Sequence, residues 1–212
     1  MSEVFNKSVA ATKRELTFIY EMLFCDELSF YAQTLEDLTP YPWSVLFDPA
    51  ATAPDLYEVI DNSDDNSRVK LLAYNKLLQG HHPVLRREIL AVIVEVGLQK
   101  GQDTLACYRD GTARYINHTG KIVFWDSVNP HSKELTDRIF DESEKMIAHL
   151  GPWEYGRLNP PKPGFARITL MASNGLYFGE AEADTLFSDA LAAPALQAAT
   201  AFLGYITTKI TK

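Results

Sequence analysis

Residues 89–96, Ile-Leu-Ala-Val-Ile-Val-Glu-Val, narrow the possible folds more than any other stretch of this chain. Apart from Glu95 every side chain is apolar, and Val and Ile predominate, so the segment reads as a strand. A strand with one wet face alternates polar and apolar residues, whereas one without alternation is covered on both faces. The fold must therefore supply a layer on either side of a sheet.

More strands follow. Residues 104–109 and 112–117 are strand-like, and Asp110-Gly111 lies between them. That dipeptide predicts a two-residue hairpin of type I′, because both residues tolerate positive φ. Asn117-His118-Thr119-Gly120 predicts a second turn into Lys121–Trp125, which completes an antiparallel meander of four strands. Phe165–Ala172 and residues 176–180 predict one further hairpin, turning at Ser173-Asn174-Gly175.

The covering layers read as helices. From residue 8 to about residue 35, Leu16, Ile19, Tyr20, Leu23, Phe24, Leu28 and Tyr31 recur at helical spacing, with Lys13, Glu21 and Glu27 opposite. Pro40 and Pro42 end that pattern. Residues 55–62 and Ser67–Gln79 predict a helical hairpin, with Gly80 as its left-handed cap and Pro83 as a stop. Residues 129–150 form a helix begun by Asn129 and Pro130, with ion pairs expected at Glu134/Arg138 and Asp141/Lys145. Residues 151–164, rich in proline, read as an extended connection. A last helix near Pro194 runs to about Lys209.

This order places the chain in the α+β class: a helical N-terminal segment, then a mainly antiparallel sheet in the order ββββ-α-ββ-α. Residues 1–83 are expected as a helical region and 84–212 as an α+β domain, packed together as one unit. With one strand too many, the order parallels that of bacterial secretion chaperones. It also resembles the profilin-like and longin-like interaction folds, an analogy of element order that fixes no function.

The composition excludes several partners. With 28 acidic against 20 basic residues the formal net charge is −8. That charge repels phosphate backbones and anionic lipid, and no Lys/Arg cluster offsets it, so no nucleic acid and no membrane surface is expected. No apolar run approaches the roughly 18–20 residues of a membrane span. The polar first residues do not resemble a signal peptide. The two cysteines, Cys25 in a helical pattern and Cys107 in a strand pattern, read as buried apolar side chains. A reducing, cytoplasmic setting follows as the expectation.

One resemblance is carried by residues. Asp103-Thr-Leu-Ala-Cys-Tyr-Arg-Asp-Gly-Thr-Ala-Arg-Tyr-Ile-Asn-His-Thr-Gly-Lys121 and Gly175-Leu-Tyr-Phe-Gly179 are similar to segments of a family of uncharacterised bacterial proteins. The resemblance runs from the sheet onward and implies a bacterial origin. That family has no assigned activity, so no functional residue is carried over.

Candidate chemistry is sparse. His81-His82 are adjacent and point apart, without the converging set a metal needs. Residues 61–67 resemble a calcium loop but have Asn66 where glycine belongs and Leu72 where the bidentate Glu belongs, and they suit a helix cap better. No phosphate-binding glycine pattern and no nucleophile elbow occurs, so no cofactor and no metal is expected. His118, Asp126, His131 and Arg114, at the ends of the meander, are the candidate acid/base group, since a His held by an Asp is a general base. Turn and cap chemistry accounts for the same residues.

The aromatics suggest an alternative use. Neighbours in a strand face opposite ways, so Phe124/Trp125 and Tyr177/Phe178 cannot share one face. Trp125, Trp153, Tyr155 and Tyr177 are the candidate interaction residues. The expected function is a non-catalytic interaction, adaptor or chaperone-like module that binds a protein partner or itself as a homodimer. The competing expectation is an enzyme or small-ligand binder with a pocket between the helical region and the sheet.

Overall fold

Strand β2 (Ile89–Leu98) lies inside a seven-stranded antiparallel sheet, flanked by β3 (Gly101–Tyr108) and β6 (Phe165–Ala172). This computed structural model describes residues 6–63 and 66–210. Strands β4 (Ala113–Ile116), β5 (Lys121–Trp125) and β1 (Lys7–Ala10) extend the sheet beyond β3, and β7 (Gly175–Glu182) pairs with β6 at the other edge. Both faces of β2 are covered, as its composition requires. Val92 and Val94 join a core built with α6 (Pro130–Ile147) and α8 (Ala193–Ile210). Leu90, Ala91 and Ile93 join a second core with helices α1 (Lys13–Met22), α2 (Leu28–Ala32), α3 (Trp43–Leu46), α4 (Ala53–Asp61) and α5 (Ser67–Gln79).

The adjacent residues Leu90 and Ala91 share one core because β2 bulges there. Ile89 pairs with Ala172 and Ala91 with Met171, so β2 spends two residues where β6 spends one. Buried side chains from the N-terminal helices and from the sheet therefore belong to one continuous apolar cluster, in which Leu56, Leu72 and Leu77 meet Ile93, Tyr108 and Ile122. The neighbouring aromatics split as alternation demands: Trp125 and Tyr177 enter the α6/α8 core, and Phe124 packs against the other.

Several details depart from the sequence reading. The chain enters the sheet before its first helix, so there are seven strands rather than six: β1 forms the sheet edge beside β5, and all four of its residues are exposed. A strand with no buried residue leaves no hydrophobic pattern to read. The helix expected over 8–35 is two. Thr12 and Glu15 form a reciprocal capping box that starts α1, and the chain breaks near Cys25, which sits at φ 52 outside any helix. At the end of α5 the left-handed residue is His81 rather than Gly80. The His82 N–H returns to the Leu77 carbonyl and the His81 N–H to that of Leu78. On α6, Lys145 pairs with Glu142 at 2.8 Å, and Lys133 pairs with Asp137.

The Asp110-Gly111 hairpin also differs from the expected two-residue turn. Only Gly111 is left-handed (φ 88), and the Tyr108 N–H reaches the Thr112 carbonyl, closing a three-residue loop. The Asp110 carboxylate explains the choice. One oxygen accepts from the Thr112 N–H and hydroxyl, and the other from the Ser67 N–H at 2.9 Å, at the start of α5. The Ser67 hydroxyl accepts in return from the Asp110 N–H. The hairpin is thus tied to the N-terminal helices.

The proline-rich connection lies on the sheet. A Cβ on Gly97 would stand 2.3 Å from the Lys162 carbonyl oxygen, so only glycine permits the crossing. Arg157 then clamps the connection to Glu21 and Asp26, each at 2.5 Å.

Candidate functional site

Helix α1 rests on the sheet at the β3–β4–β5 side, and a cleft of about 400 Å³ opens between them. Leu16, Tyr20 and Ile116 supply its apolar floor and Pro160 of the connection one wall, while Lys13, Glu21 and His118 bring charge to its rim. A roomier hollow of about 550 Å³ is a groove along the outer face of α6 alone, bounded by no second element.

His118 stands in the loop between β4 and β5, where Gly120 (φ 88) turns the chain and the Asn117 side chain accepts from the N–H groups of Thr119 and Lys121. Asp103 of β3 holds it twice. One carboxylate oxygen accepts from the His118 N–H at 2.7 Å and lies 2.9 Å from Nδ1. The other accepts from the Tyr115 hydroxyl at 3.1 Å. An ionised carboxylate can only accept, so this contact places the imidazole proton on Nδ1 and leaves Nε2 free to accept. Nε2 has no partner among the described residues, and the side chain is 44% exposed. Burial raises the Tyr115 phenol above its usual range, and the Asp103 charge adds to the shift.

Below the cleft floor lies a buried ionic chain. The Tyr20 hydroxyl donates to Glu95 at 2.6 Å, Glu95 faces Arg167 at 3.5 Å, and Arg167 pairs with Glu180 at 2.5 Å. Arg167 donates further to the Asn159 carbonyl, which fixes the connection beside Pro160. Glu95 is fully buried, and burial raises its carboxyl above the ordinary value against the opposing pull of Tyr20 and Arg167. Glu21 is neutralised by Arg157, whereas Lys13 has no acidic partner among the described residues. The charge the rim offers a ligand is therefore positive.

The four acid/base candidates do not meet in one place. His118 precedes β5 and Asp126 follows it. Arg114 and Asp126 form a 2.7 Å ion pair at the far end of the strands. His131 sits in the first turn of α6, 3.6 Å from Glu134 and edge-on to the Tyr205 ring. Of the interaction candidates, Trp125 and Tyr177 are each 2% exposed and face the α6/α8 core. Trp153 is half-buried, bridges to Leu176 and donates from Nε1 to the Gly156 carbonyl. Tyr155 is 82% exposed beside it.

Among the described residues no group of three or more His, Cys, Asp or Glu side chains could hold a metal. In the calcium-like stretch, Asp64 and Asp65 lie outside the described residues, and Asn66 caps α5 by accepting from the Val69 N–H. No described helix is long and apolar enough to cross a membrane. Sequence reasoning missed Asp103, Tyr20 and Glu95. Only Glu95, the single charge in an apolar strand, carried a signal. The chain matches no protein-family model, no curated protein and no solved structure.

Proposed function

We propose that this protein binds a small amphipathic acid in the cleft between α1 and the sheet. The observation that carries the reading is a 400 Å³ hollow with an apolar floor and, at its rim, the Lys13 ammonium and the His118 imidazole. Leu16, Tyr20 and Ile116 take the apolar body, and the Lys13 ammonium faces the acidic end. His118 accepts a hydrogen bond at Nε2 when neutral and pairs with a carboxylate when protonated. Asp103 positions the ring through its contacts to the His118 N–H and Nδ1, the arrangement that orients a general base. The reading stops at binding and proton exchange, since no nucleophile accompanies the pair.

Native mass spectrometry of protein purified without a denaturing step tests this. The expected result is a monomer carrying a small acidic adduct that His118→Ala and Lys13→Ala lose. A bare dimer would contradict it and favour a second reading, that of an interaction module binding a protein partner or a second copy. The observation favouring that second reading is the exposed Tyr155, packed edge-on against Trp153 on the connection.

A further inference from the structure

Under the other end of α1 a separate cavity of about 130 Å³ holds two guanidinium groups, those of Arg68 and Arg114. Its walls are otherwise apolar or already committed. Ile19, Met22, Leu23 and Phe124 carry no polar side-chain atom that could pair with a charge. The Tyr31 hydroxyl donates to the Met22 carbonyl and the Tyr108 hydroxyl to the Leu23 carbonyl, each at 3.0 Å.

The two arginines are unequally served. Arg114 is buried; its Nη1 pairs with Asp126 at 2.7 Å and donates to the Ala113 carbonyl, while Nε and Nη2 have no acceptor among the described residues. Arg68 makes no ion pair and no hydrogen bond with any described residue. Its guanidinium lies 5.3 Å over the Tyr108 ring. The nearby carboxylate of Asp110 is occupied by Ser67 and Thr112. A half-buried guanidinium has five N–H donors, and leaving them unanswered is costly. A chain of net charge −8 has carboxylates to spare, yet among the described residues none pairs with Arg68.

We infer that this cavity is a binding site for a small oxyanion, held by the fork of Arg68 with the spare Arg114 nitrogens closing on it. The planar fork suits both a carboxylate and a tetrahedral phosphate or sulfate, and the volume admits nothing much larger. The site is separate from the His118 cleft and independent of what that cleft binds.

Thermal unfolding of the full chain in sodium phosphate, and in sodium acetate, against sodium chloride of equal ionic strength tests the inference, with calorimetric titration of the same anions. A ligand of the folded state raises Tm saturably. At least one anion should do so for the wild type, and the larger rise tells a tetrahedral from a planar ligand. Arg68→Met should lose the rise while melting no lower than wild type in chloride, because it removes an unpaired charge. Arg68→Lys, which keeps the charge and loses the fork, should weaken binding at least about tenfold. No rise with either anion, or an undiminished rise in Arg68→Met or Arg68→Lys, would overturn the inference.

Discussion

Asp103 accepts from both the main-chain N–H and the imidazole Nδ1 of His118, at 2.7 and 2.9 Å, so one carboxylate fixes the loop and the ring together. Removing the ring and removing the carboxylate should therefore differ. His118→Ala keeps the main-chain bond and should cost under about 1 kcal/mol, the range of a half-exposed contact. Asp103→Ala strips partners from His118 and Tyr115 and should cost about 1–3 kcal/mol. Urea unfolding of both variants checks the order, and equal losses would contradict it.

Long-range proton–nitrogen spectra should show neutral His118 protonated at Nδ1, with Asp103→Ala shifting the population toward the Nε2 tautomer. A wild type already protonated at Nε2 would break the proposed pairing.

Glu95 sets a pH dependence of stated sign. Its folded-state carboxyl lies above the ordinary value because burial penalises the charge. The folded state therefore keeps the proton to higher pH than the unfolded chain. The group's contribution is most favourable below its unfolded value and falls as pH rises toward the folded one. Glu95→Gln has no proton to lose and still accepts from Tyr20, and Arg167 keeps Glu180. Its stability relative to wild type should rise across that interval, by under about 2 kcal/mol, and level off beyond it. A difference constant with pH would exclude this account.

The hairpin tie is a separate element. Asp110→Ala removes the acceptor for the Ser67 N–H at the start of α5 and for Thr112 in the loop. The expected loss is about 1–2 kcal/mol, the scale of a helix cap. Chemical denaturation measures it, and an unchanged midpoint would show that the tie contributes nothing.

The two thiols should be inert in the folded protein. Burial pushes Cys25 up to about 12 and raises Cys107 as well, and both side chains are buried. A thiol reagent at neutral pH should modify neither until denaturant is added. Rapid modification of the native protein would place one of them at the surface.

Much of the fold was legible because burial writes patterns. The central strand over 89–96 and the helices at Ser67–Gln79 and near Asn129 repeat apolar residues at the period their elements require. Strand β1 was invisible because all four of its residues face water. The Asp110 loop was misread because its geometry is chosen by a partner, Ser67, 43 residues away. The site was less legible for the same reason. His118 was found as a turn residue, but its partner Asp103 lies one strand back and looks like any surface acid. Trp125 was singled out as an aromatic without a known face, and only the packing of α8 shows that it meets Tyr205 in the core. Nothing in local spacing pairs Arg68 with Arg114.

The central claim is that a small acid occupies the α1 cleft. Proton–nitrogen correlation spectra of the labelled protein, recorded with a panel of small aromatic and aliphatic carboxylic acids, test it most directly. The account predicts saturable shifts at Leu16, Tyr20, Ile116 and His118, lost in His118→Ala and Lys13→Ala. Shifts gathered elsewhere on the chain, or none with any acid, would contradict it.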